Sequence, residues 1–149
     1  MKELTRVDEM SLAGAALHGA PWRTAIVSGG AVGAASLLLG WILPGPADLT
    51  WALCVGIAVF ALVAAIGAIS RPDEGDRVTR QSRRWALRHP WKFALYPGMI
   101  SAALMLPVQL VVDREGLFGA VWDAGWGAVW VSLLTALITR AMRYRAGVS

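Results

Sequence analysis

The residues of this chain that could do chemistry are few and far apart. Asp123 is the only formal charge inside a long apolar stretch. A carboxylate in hydrocarbon is costly unless it is hydrated, paired or protonated. Asp123 lies a few residues from the end of its stretch, roughly 7 Å deep at 1.5 Å per residue. Gln109 and Cys54 are the polar-capable groups at comparable depth. Together the three would make a proton or cation site; the plainer expectation is a carboxylate reaching back to the membrane surface near Arg114. Trp122, Trp126 and Trp130 recur every fourth residue and so share one helical face. Packing against lipid or another span is the ordinary use of such a stripe, and a wall for a lipid-like ligand or a partner helix is the functional one. His18 and His89 each fall just before a Pro-Trp pair. Two imidazoles do not make a zinc site, so no metal is expected. Arg77, Arg80, Arg83, Arg84 and Arg88 crowd one short segment. Contact with anionic lipid accounts for them, at roughly 1 kcal/mol per basic residue near the surface.

Other chemistry is missing from the sequence. There is no Gly-x-x-x-x-Gly-Lys-Ser/Thr, no His-Glu-x-x-His, no Cys-x-x-Cys, and no nucleophile, His and carboxylate set within the apolar stretches. The single cysteine excludes an intramolecular disulfide. The chain lacks asparagine and therefore any N-glycosylation sequon. No cofactor and no enzymatic activity are expected.

The elements that would position these residues come from the apolar pattern. Of 149 residues, 56% are hydrophobic, and they fall into four nearly uncharged blocks: Thr24–Leu43, Thr50–Ile69, Phe93–Val112 and Phe118–Thr139. About 20 residues of helix cover roughly 30 Å, the hydrocarbon thickness of a bilayer. A soluble bundle would interrupt each block with a polar face. The expected fold is an all-α integral membrane protein of four transmembrane helices, one domain over 1–149. Thirteen of the 14 Lys and Arg residues lie before the first block, between the second and third, or after the fourth; only Arg114 lies on the other side. That bias places both termini and the central loop in the cytoplasm. The charges thus need no nucleic acid as partner. The first block is too long, and too far from the start, for a cleaved signal peptide. Arginine outnumbers lysine by 12 to 2 beside abundant Ala, Gly and Val, which suggests a bacterial inner-membrane protein.

An internal repeat organises the blocks. Pro21-Trp22-Arg23-Thr24-Ala25 returns as Pro90-Trp91-Lys92-Phe93-Ala94, and Ile69-Ser70-Arg71 returns as Ile138-Thr139-Arg140, both at an offset of 69. The units are about 4–71 and 77–140, with the basic loop at 71–92. Two spans per unit make the repeats parallel, related by an axis along the membrane normal. Short outer loops, Pro44–Leu49 and Asp113–Leu117, make each pair of spans an antiparallel hairpin. Leu4–Leu17 and Asp76–His89 read as short interfacial helices preceding each hairpin, and a turn is expected at Arg71–Gly75. Trp22, Trp85 and Trp91 mark one membrane interface and Trp41, Trp51 and Trp122 the other.

Small residues at four-residue spacing, Gly29 and Gly33 in the first span and Ala94, Gly98 and Ala102 in the third, allow close backbone approach. The first and third spans are expected to meet there, repeat to repeat, or to form a homo-oligomer seam. The expected role is a non-enzymatic structural, assembly or regulatory subunit that contacts membrane lipids and oligomerises or joins a larger membrane complex. The alternative is a small homo-oligomeric transporter, flippase or channel.

Overall fold

The computed structural model describes residues 6–43, 48–70, 77–114 and 116–145, leaving aside the side chains of residues 6–10, 77–79 and 113. The expected turn at Arg71–Gly75, residues 44–47 of the expected outer loop, the start of the expected Leu4–Leu17 helix and the side chain of Arg77 lie outside the described residues. Among the described residues six α-helices follow in order: α1 (Arg6–His18), α2 (Trp22–Ile42), α3 (Leu49–Ser70), α4 (Arg77–Arg88), α5 (Pro90–Val108) and α6 (Leu117–Arg145). Among the described residues there is no strand. Four helices among the described residues are long and apolar enough to cross a membrane: α2, α3, α5 with the turn after it, and α6. The chain is therefore a multi-pass membrane protein.

Local chemistry sets the helix ends. Asp48 stands just before α3, and its carboxylate accepts the Trp51 backbone N–H at 3.0 Å, satisfying one of the amides that a helix start leaves bare. Pro90 is the first residue of α5, where its missing N–H costs nothing. Pro97 and Pro107 lie inside α5. Each removes a donor from the helical ladder and crowds the carbonyl four residues back. After Pro107 the helix widens into a π turn over Gln109–Asp113. It closes at Arg114, which adopts φ 53° and donates its N–H to the Gln109 carbonyl. At 29 residues, α6 is about 43 Å long, so it outreaches the hydrocarbon core and carries Arg140, Arg143 and Arg145 beyond it.

In the membrane layer α2 packs along α3 and α5 packs along α6, while α3 also touches α5 and α6. Across the end of this bundle α1 and α4 pack on each other and on α3. The bulky core gathers here: Leu12 and Leu17 of α1, Trp85 and Leu87 of α4, Ile69 of α3 and Phe93 of α5 form one buried cluster. Trp85 thus departs from the expected interfacial belt, because the apolar side of α4 turns inward onto α1 and buries the indole. Trp22, Trp91, Trp41, Trp51 and Trp122 are exposed on the helix surfaces, as membrane-facing rings would be.

Candidate functional site

The glycines come together within neighbouring spans. A Cβ on Gly33 would stand 3.2 Å from the Ala52 carbonyl oxygen, and Gly29 lies against Gly56 and Phe60. Gly98 lies against Ala128 and Ser132 of α6, and Ala94 beside it is buried. Ala102, one turn further, is half-buried. The Gly29 and Gly33 seam therefore faces α3, and the Gly98 seam faces α6, rather than each other. Small side chains serve both seams because helices in lipid gain contact chiefly by close backbone approach.

Asp123 is exposed on α6 and makes no ion pair with Arg114. Trp122, Trp126 and Trp130 are exposed on α6, with the Trp126 and Trp130 rings edge to face at 6.1 Å. A shallow cleft of about 340 Å³ runs between Phe118, Trp122, Gly125 and Trp126. Gln109 differs: it is buried in the π turn, and its Oε1 has no hydrogen-bond partner among the described residues. Pro107 is the sequence signal that marks this turn, and the charge pattern gives no hint of it. Cys54 is half-buried in α3. Three hydroxyls in the spans turn back on their own helices: Ser101 donates to the Gly98 carbonyl at 2.8 Å, Thr139 to the Thr135 carbonyl at 2.7 Å and Ser70 to the Ile66 carbonyl at 2.7 Å, whereas the buried Thr135 hydroxyl has no partner among the described residues.

The densest polar chemistry lies on the α1–α4 cap. Ser82, Trp85, Ala86 and Leu87 are buried, which fixes the helix and turns Arg80, Arg84 and Arg88 to the opposite, exposed side. A half-open cavity of about 530 Å³ forms there, lined by these three arginines, Gln81, His89, the edge of Trp85 and Leu12 of α1. Arg83 is half-buried and lies outside it. His89 stacks on Trp85 with centroids 5.7 Å apart. Its Nδ1 is 3.3 Å from the Trp85 carbonyl oxygen, so Nδ1–H donates there and Nε2 is the nitrogen left for another group. His18 is exposed at the end of α1. Among the described residues no group of three or more His, Cys, Asp or Glu side chains could hold a metal ion.

No protein-family model matches the chain, and no curated protein or solved structure is significantly similar to it.

Proposed function

We propose that the chain is a non-enzymatic membrane subunit that associates with other membrane proteins or with copies of itself through the faces of its spans. The observation that carries this reading is the exposed tryptophan face of α6, with its cleft between Phe118, Trp122 and Trp126. Tryptophan supplies large, rigid contact area at low entropic cost, and a cleft gives a partner helix a shape to fit. The Ser70, Ser101 and Thr139 hydroxyls are kept on their own helices and are not offered to a polar ligand.

The bundle reads as two tandem parallel hairpins, each led by a cap helix. Several features at the offset of 69 support this. Gly29 and Gly98 both lie at a close approach to the span that follows, where a Cβ would meet a backbone carbonyl oxygen. Ala25 and Ala94 are both buried, and Ser70 and Thr139 make the same hydroxyl-to-carbonyl bond. In the cap, Ala13, Ala16 and Leu17 of α1 are buried like Ser82, Trp85 and Ala86 of α4. By the charge bias the cap and both termini lie in the cytoplasm, in a bacterial inner membrane.

The deciding measurement is the mass of the protein purified from native membranes in mild detergent. Co-purification with a membrane partner, or a self-oligomer that dissociates on Trp126→Ala, is expected. A monomer without partners would sink the proposal.

A second reading, a small homo-oligomeric transporter, flippase or channel, rests on Gln109. A π turn that holds a buried amide oxygen without a partner is a feature often found at functional sites. Flux in liposomes that disappears with Asp123→Asn or Gln109→Leu, in protein that still folds, would favour it.

A further inference from the structure

The cavity of the α1–α4 cap is more specific than a basic surface needs to be. A polybasic segment that only attracts an anionic membrane works through its total charge and needs no shape. Here Arg80, Arg84 and Arg88 stand one helical turn apart on one face of α4, about 6 Å of rise between each pair. Burial of Trp85, Ala86 and Leu87 holds that face in place, and Leu12 of α1 lines the same cavity. His89 adds a ring nitrogen, its orientation set by the stack on Trp85 and the contact with the Trp85 carbonyl. Gln81 adds an amide.

We infer that this cavity binds a phosphate monoester group. Each guanidinium presents a planar fork of donors that matches phosphate oxygens bidentately. A monoester carries close to two negative charges and three strong acceptor oxygens. A diester offers one charge and two free oxygens, and would leave part of this donor set unused. The volume of about 530 Å³ lies within the range of small-molecule sites and exceeds what a bare phosphate fills, so the remainder of a headgroup also fits. The cavity lies beside His89-Pro90-Trp91, where the chain enters its third span, and Trp91 is exposed there. A lipid headgroup and a soluble phosphate are both within reach of that position. The inference stands apart from what the spans contact, since none of their membrane-facing residues line the cavity.

The test uses the full chain in nanodiscs of phosphatidylcholine doped with phosphatidic acid, a monoester, or with phosphatidylglycerol, an anionic diester. Bound lipids are counted by native mass spectrometry, and inorganic phosphate is titrated separately by calorimetry. One monoester per chain is expected, held at least tenfold tighter than the diester. Arg80→Gln, Arg84→Gln and Arg88→Gln combined should lose that binding tenfold or more. Arg23→Gln, Arg140→Gln and Arg145→Gln combined remove the same charge at the same end of the bundle, and should change it less than threefold. If the first triple variant does not fold, the corresponding Arg→Lys triple keeps the charge but loses the fork, and should weaken binding several-fold. Lipid binding that inorganic phosphate does not displace identifies the headgroup as source, and phosphate binding in pure phosphatidylcholine discs identifies a soluble one. Both outcomes support a phosphate site. Equal losses in the two Gln triples, or no preference for monoester over diester, would overturn it.

Discussion

Gly29 and Gly56 meet backbone to backbone across the seam of α2 and α3. A Cβ on Gly29 would stand 2.6 Å from the Gly56 carbonyl oxygen, and one on Gly56 would stand 2.9 Å from the Gly29 carbonyl oxygen. Neither oxygen can move without its helix. Phe60 presses on the same point, its Cβ 2.8 Å from the position a Gly29 Cβ would take. The seam is thus closed by backbone, and any side chain there separates the two spans.

Gly30 sits one residue along, with nothing within 4 Å of its Cβ position. The pair makes an internal comparison. Gly29→Ala should destabilise the fold by about 1–3 kcal/mol, the usual cost of overpacking. Gly30→Ala should be neutral or stabilising by up to about 1 kcal/mol, because alanine is the better helix former. Reversible unfolding of the two variants in the same detergent measures both. Equal effects would mean that α2 does not sit on α3 at this closeness.

The second seam has a different weakness. A Cβ on Gly98 would overlap the Ser132 hydroxyl, which can swing aside, and would stand 2.9 Å from the Ala128 carbonyl oxygen, which cannot. Gly98→Ala should therefore cost about 1–3 kcal/mol. Adding Ser132→Ala should return only part of that loss, while Ser132→Ala alone should stay within about 0.5 kcal/mol of the parent. A double-mutant cycle on unfolding free energies reads the coupling. Full recovery in the double variant would place the whole clash on the serine.

These seams show how far the sequence could be read. Length and hydropathy gave the four spans, since roughly 20 apolar residues admit few other structures. Pro21 and Pro90 gave the breaks before α2 and α5, because proline ends a helix for local reasons. The partners of Gly29 and Gly98 were not legible, because spacing marks a small face without saying what lies opposite. Trp85 read as an interfacial ring for the same reason: its burial depends on α1, distant in sequence. The cavity needs Leu12 as well as the arginines, so the basic run revealed its charge and not its shape. The π turn left a trace in Pro107, and α6 extends past its apolar block through Arg145 because a helix leaving the membrane has no local reason to stop.

Arg114 ends the π turn with φ 53°, a conformation that costs a non-glycine residue about 1–2 kcal/mol. Arg114→Gly should relieve that strain and raise stability by up to about 1 kcal/mol, the gain being reduced by the greater freedom of glycine in the unfolded chain. A higher melting temperature in detergent is the expected reading. A fall would mean that the arginine side chain contributes more than its backbone costs.

Gln109 joins stability to function most directly. Its Oε1 is buried and has no partner among the described residues, and a buried polar group left unmatched costs about 1–3 kcal/mol. Gln109→Leu keeps much of the volume and removes the unmatched oxygen, so the variant should be as stable as the parent or more stable, by up to that amount. Thermal unfolding measures that stability. Association and flux are then compared in the same variant. If Gln109→Leu melts higher and still assembles, the amide serves neither packing nor partner contact. Loss of flux in that stabilised protein would then move the π turn to the centre of a transport pathway. Destabilisation would instead mean that the amide has a partner after all, a bound water or a group of the neighbouring loop.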